Sequence, residues 1–291
     1  MTKRHRIDSD KRAIVRAVVT IAVIIMFACN GWCQEKRTKI RISNAGFTLT
    51  ALPLLAAKDW GVFSANGLDV ELIVMSPTLA AAAVAQGDID YVAGVGPASV
   101  AATLSGLPSR AIWFSSDRIT YWLQSAPPYK TLQDLKGKKI ALSGGVGGTN
   151  HVALMIALEK SGANPKEYAM VEMPGGGLTT LIKTIQSRPA EMKRVIHALQ
   201  LAKDEVRKSK PKTVELIMRL LKMDKEPASE TYDTFQTTLN PTGIPNRAGI
   251  DNLVRSLQAQ GRFTDRKVAF NEVADDRLAT EVAKELGYKQ P

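Results

Sequence analysis

The chain has 291 residues, of which 45% are hydrophobic and 23% charged, with a formal net charge of +11 and two cysteines. That size and apolar content allow one large or two ordinary domains with buried cores. Both cysteines, Cys29 and Cys33, lie near the N-terminus; a chain cut after Cys33 has no disulfide, no thiolate nucleophile and no Cys-based metal site.

Residues 1–33 read as a secretory signal peptide. Lys3, Arg4, Arg6, Lys11, Arg12 and Arg16 form a basic n-region, and Ala17–Ala28 is an apolar stretch of twelve residues. A membrane-spanning helix needs about 20. Gly31-Trp32-Cys33 supplies small residues for a cut before Gln34. An uncleaved membrane anchor is the alternative. A second cut is also open, because Met26-Phe27-Ala28-Cys29 loosely matches a lipobox in which Cys29 becomes a lipidated first residue. Either cut places the mature protein in the periplasm or outside the cell.

The charge is uneven. The segment Lys183–Lys225 holds twelve Lys/Arg and five Asp/Glu. A basic helical face suggests nucleic acid, but this segment lacks aromatics and an exported chain rarely meets nucleic acid. A solvated helix surface is the favoured reading.

After the leader, strands and helices alternate. Lys39–Ser43 alternates polar and apolar residues as a strand does. A helix follows over Thr50–Trp60, stopped by Gly61. Leu68–Val74 is a strand, Leu79–Gln86 an alanine-rich helix closed by Gly87, and Tyr91–Ala93 a short buried strand. A helix near Ala98–Ser105, a strand at Arg110–Ser115 and another at Tyr121–Ser125 come next. This order implies right-handed βαβ crossovers and parallel pairing. A second unit starts at Tyr129, with a short helix at Thr131–Leu135, a strand at Lys139–Ser143, the loop Gly144–Gly148, a helix at Asn150–Ser161 and a strand at Tyr168–Met173. Beyond Gly177 the pattern becomes helical: Leu178–Gln186, Pro189–Lys208, Lys212–Leu221, Ser229–Leu239, Ile250–Gln260 and Arg277–Leu286. Only Lys267–Val273 has strand character there.

The polar groups at strand ends are neutral. Ser43, Asn44 and Thr48 follow the first strand, Ser76 the second, Gly94-Val95-Gly96 the third, and Ser115-Ser116 the fourth. Gly145 and Thr149 flank the helix start after the glycine loop, a placement that suits an anion or small polar ligand. The loop is neither a P-loop nor a clean dinucleotide fingerprint. His151 and His197 are 46 residues apart without Cys or paired-carboxylate company, so no metal site is expected. Asp88 and Asp90 read as a turn cap and a strand-edge residue. No nucleophile–base motif is present, and no cofactor is expected.

Three segments together resemble a known family: ALPLLAAKDWGVFSANGLDVELI (51–73), AVAQGDIDYVAGVGPA (83–98) and LQDLKGKKIALSGGVGGTNH (132–151). In order and spacing they are similar to the solute-binding proteins of ABC importers in the NitT/TauT group, related to the SsuA/THI5-like domain. The resemblance implies an α/β, two-lobed periplasmic-binding-protein fold with mostly parallel sheets, a ligand in the cleft between lobes, and a helical C-terminal region. The lobes would span 34–128 and 129–177, with 178–291 packing back on the first. The implied ligand-facing residues are Ser43, Asn44, Thr48, Ser76, Gly94, Val95, Ser115, Gly145 and Thr149. The implied partners are a small solute (a sulfonate, nitrate, taurine or a pyrimidine-like molecule) and an inner-membrane permease, with the binder itself a monomer and not an enzyme. The chain departs from the family after Gly177. A further βαβ stretch and a strand returning to the first lobe are expected there, and the sequence instead reads as helix, so the second lobe is truncated. A degenerate paralogue that binds nothing is therefore an alternative, and a thiamine-pyrimidine-synthase-like enzyme a more distant one.

Overall fold

The computed structural model describes residues 37–44, 46, 49–116, 123, 125, 128–141, 149–171, 178–259 and 261–289. The leader, the glycine loop at 144–148 and most of the expected strand at Tyr121–Ser125 lie outside the described residues.

Strand β1 (Thr38–Asn44) sits between β2 (Leu68–Val74) and β3 (Tyr91–Ala93), parallel to both. Its connection to β2 runs through α1 (Leu52–Asp59) and α2 (Val62–Ala65). Residues Leu52 to Ala57 are all buried, as expected of a helix that is apolar on every side. Helix α3 (Pro77–Gln86) links β2 to β3, and α4 (Pro97–Leu104) links β3 to β4 (Ser109–Trp113). The second unit contains β5 (Lys139–Ala141), α5 (Thr149–Lys160) and β6 (Ala169–Val171), with β5 and β6 parallel.

The chain then returns. Strand β7 (Leu178–Leu181) inserts between β3 and β4, antiparallel to each, and completes a five-stranded sheet of order β2-β1-β3-β7-β4. This corrects the helix expected at Leu178–Gln186. Apolar Leu178, Leu181, Ile182 and Ile185 carry a helical period, but β3 and β4 each offer an edge that only a strand can pair, and Thr179 and Thr180 are β-branched. The helix is confined to α6 (Ile182–Ser187). The fully buried Thr180 donates its hydroxyl to the Asp90 carbonyl at 2.7 Å, tying the returning strand to the start of β3.

The expected loss is thereby narrowed. The returning strand is present. Only six residues separate Val171 from Leu178, whereas a βαβ unit takes about 30. The second sheet has two strands among the described residues.

The C-terminal region supplies α7 (Pro189–Lys208), α8 (Lys210–Leu221), α9 (Lys225–Phe235), α10 (Arg247–Ala259), α11 (Phe270–Val273) and α12 (Arg277–Glu285). Helix α7 starts with proline at its first position, has Glu191 in its first turn, and ends with Arg207 and Lys208 in its last; each placement suits the helix dipole or the free backbone groups. Its stripe of Met192, Val195, Ile196, Leu199 and Ala202 meets Ile40 and Ile42 of β1 in the largest core. The strand expected at Lys267–Val273 is instead the single turn α11. The Ala269 amide donates to the Glu272 carboxylate at 2.7 Å, which caps a helical turn. No helix of the described residues is long and apolar enough to cross a membrane.

Candidate functional site

Strands β1, β2 and β3 run the same way, and β4 joins them because both β3 and β4 are antiparallel to β7. Their C-terminal ends therefore share one edge of the sheet. Ser43 and Asn44, Ser76, Gly94 and Val95, and Ser115 are brought together on that rim. Helices α1, α3 and α4 all begin there, so three positive dipole ends face the same side. Thr149 opens α5 in the second unit. Thr48 and Gly145 lie outside the described residues.

The rim residues differ in what they have left to offer. Ser43 is 1% exposed, and its hydroxyl has no hydrogen-bond partner among the described residues. Its register partners are Ile73 and Val92, so it shares their face, above the apolar cluster of Ala80 and Val84 in α3. A buried hydroxyl without a partner is costly. Asn44 is committed to a turn, its Oδ1 accepting from the Gly46 amide at 2.7 Å. Ser76 caps α3 by accepting from the Leu79 amide at 3.4 Å. Gly94 has φ +146°, and Val95 packs against the cluster of Val100, Ala101 and Phe114.

Ser115 is also committed, because its hydroxyl donates to the Thr50 carbonyl at 3.1 Å. The next residue is the open one. The Ser116 hydroxyl is buried without a partner among the described residues, and Ser116 bridges antiparallel to Leu239. The sequence offered both serines. Ser115 is taken up by the Thr50 carbonyl and Ser116 is not, while both stand in a stretch, 114–116, that pairs with the distant segment 239–243. That pairing includes Asn240 N to Ser115 O and Phe114 N to Gly243 O, both at 2.9 Å. Gly243 has φ +75°, and a Cβ there would stand 2.3 Å from Trp113 Nε1 and 2.4 Å from Gln200 Oε1; only glycine fits.

Several charged residues form a connected group at the start of β3 and α7. Asp90 accepts from the Arg41 amide at 2.8 Å and pairs with Arg188 at 3.0 Å, and Arg188 reaches Glu191 at 3.2 Å. Glu191 accepts from the Tyr91 hydroxyl at 3.1 Å, and burial, with Glu191 nearby, pushes that phenol far above its ordinary value. The basic segment 183–225 is largely compensated in space. Lys193 meets Glu285 at 2.6 Å, Lys210 meets Asp233 at 2.6 Å, and Arg219 meets Asp59 at 2.6 Å, all acids from outside the segment. His197 is half-buried, with Nδ1 2.8 Å from Asn66 Oδ1. A groove lined by Arg110, Arg266 and Glu272 lies at the opposite end of β4 from the rim, and Arg266 and Glu272 pair with each other within it.

Comparison with solved structures returns the same architecture. The chain aligns with the periplasmic nitrate-binding protein NrtA of Synechocystis PCC 6803 at TM-score 0.67 and 14% identity, covering 87% of this chain and 90% of that one. A protein of Bordetella bronchiseptica RB50 gives TM-score 0.66 and 17% identity, covering 86% and 98%. The periplasmic sulfonate-binding protein SsuA of Methylobacillus flagellatus KT gives 0.63 and 14%, covering 87% and 96%. No curated protein matches at the level of sequence. The family profile described as NMT1/THI5 like matches residues 49–214. With more than half its length inside that profile and the fold of periplasmic binding proteins, the chain belongs to the NMT1/THI5-like family.

Proposed function

We propose that this protein is the extracytoplasmic solute-binding component of an ABC importer, taking a small polar or anionic molecule at the rim and handing it to an inner-membrane permease. The observation that carries this reading is the rim itself. It combines three helix N-termini with two buried hydroxyls, Ser43 and Ser116, that have no partner among the described residues. Neutral donors around positive helix ends suit a sulfonate, nitrate, taurine or a pyrimidine-like molecule. They offer a solute orientation rather than acid–base chemistry, which favours a binder over an enzyme. The leader fits export by either cut, before Gln34 or before a lipidated Cys29, and the binder works as a monomer. In this reading the lobes span 34–128 and 129–177, with 178–291 closing on the first.

Isothermal titration against ethanesulfonate, taurine, nitrate and a pyrimidine tests this. One of them gives saturable heat, and Ser43→Ala and Ser116→Ala each weaken it about tenfold, the worth of one hydrogen bond to a charged group. Both variants leave the unliganded protein as stable or slightly more so, since each removes an unsatisfied hydroxyl. The short link between Val171 and Leu178 favours a second reading, a truncated paralogue that binds nothing. Absence of heat with all four probes selects it.

A further inference from the structure

One face of α7 grips a distant backbone segment. Gln200, Lys203 and Arg207 lie at spacings of three and four residues, so they share that face. Arg207 donates to the Leu239 carbonyl at 2.9 Å. Lys203 donates to the Asn240 carbonyl and, at 3.0 Å, to that of Pro241. Gln200 donates to the Pro241 carbonyl at 3.3 Å and accepts from Trp113 Nε1 at 3.4 Å. Three successive carbonyls are thus held from one helix.

Lys203 is the unusual member. It is 0% exposed, and burying an ammonium costs several kcal/mol unless strong acceptors replace its water. Tyr288 covers it, its ring centre 5.9 Å from Nζ. A methionine would fill this space without that cost, but it would leave the Asn240 and Pro241 carbonyls without the donor that holds them. The effect of that hold is visible on the other side of the segment. Asn240 Oδ1 accepts from the Thr242 amide at 2.9 Å and the Gly243 amide at 2.7 Å, fixing the turn. The same segment then hydrogen-bonds to Phe114 and Ser115 and bridges to Ser116.

We infer that Lys203 is a positioning residue for the solute site: its buried charge holds Asn240 and Pro241, and through them sets where Ser116 stands on the rim. The inference deepens the solute-binding reading and rests on it for its effect on ligand, but the mechanical claim is independent of any ligand.

The test therefore has two arms. Hydrogen exchange of the unliganded protein follows the amides of Phe114 and Asn240. In Lys203→Met both exchange at least tenfold faster, amides of β1 and β2 do not change, and Lys203→Arg recovers most of the protection. Gln200→Met and Arg207→Met raise the same two amides by less, and serve if Lys203→Met does not fold. Unchanged protection at Phe114 and Asn240, or a rise shared equally by β1, overturns the inference. Titration with ethanesulfonate, taurine, nitrate and a pyrimidine is the second arm. If the wild type binds one of them, Lys203→Met weakens that binding about tenfold and Lys203→Arg by less; equal affinity in all three overturns the positioning role. If the wild type binds nothing, the solute-binding reading falls, and exchange alone decides whether Lys203 sets the rim.

Discussion

The five-stranded sheet and the two-stranded one are built from similar βα pieces but are covered very differently. On the large sheet, α7 and α12 cover one face around Ile40 and Ile42, α3 lies over Ile73 and Val92, and α4, α10 and α11 close the β4 edge around Ala111 and Phe114. On the small sheet the buried apolar set among the described residues is Leu135, Ile140, Leu154, Leu158 and Tyr168. Its polar support is local as well: Tyr168 donates to the Leu132 carbonyl at 3.1 Å, and the exposed pair Lys136–Glu167 closes at 2.8 Å. An exposed pair adds little, and sheets of two strands are marginal alone. The contrast teaches that the first lobe, among the described residues, is closed by the C-terminal region, through β7 and α7.

The strongest way to break this contrast is in the shared core. Leu199 is 1% exposed in α7. Leu199→Ala should destabilise the whole protein by about 3 kcal/mol, read as a lower midpoint in denaturant with an unchanged slope. A loss confined to a minor early transition would show that α7 does not carry the large unit.

Leu158 is equally buried, at 0% exposure, but in the small unit. Leu158→Ala removes a similar volume and should act locally. Exchange over 131–171 speeds up, while the main thermal midpoint moves by less than about 2 °C, below what 1 kcal/mol of global loss gives in a domain of this size. A drop in the main midpoint as large as that of Leu199→Ala would mean the two units melt as one.

Much of this arrangement is legible in the sequence where local and tertiary preferences agree. Pro189–Lys208 and Tyr91–Ala93 take the limits their patterns imply: one has a proline start and a clean apolar stripe, the other is a short apolar run between turn residues. Leu178–Leu181 is not legible, because its apolar spacing is helical and its strand state comes from edges supplied by β3 and β4, more than 60 residues earlier in the chain. The rim was readable as a place and not as chemistry. The ends of β1, β2 and β4 carry small polar residues, but whether a hydroxyl is committed depends on distant partners: Ser115 finds the Thr50 carbonyl, and Ser116 finds none among the described residues. Lys203 gives no local signal at all, since a lysine in a basic helix reads as solvated.

The gentlest probe of the contrast is acid. His151 is buried in α5, and burial holds its imidazole below the ordinary value of about 6.5. At neutral pH both folded and unfolded forms are uncharged and the residue costs nothing. As pH falls below about 6.5 the unfolded chain takes up a proton that the folded unit resists, so stability is lost until pH has passed the depressed folded value. The loss belongs to the small unit, where His151 stands. Exchange over 149–171, corrected for its intrinsic pH dependence, should therefore show opening at pH 5.5 relative to 7.5, while β1 and β2 keep their protection. His151→Gln should remove most of that difference without changing the large sheet. If the acid response persists in the variant, the opening comes from another group; if it extends to β1, the two units share their stability and the contrast between them fails.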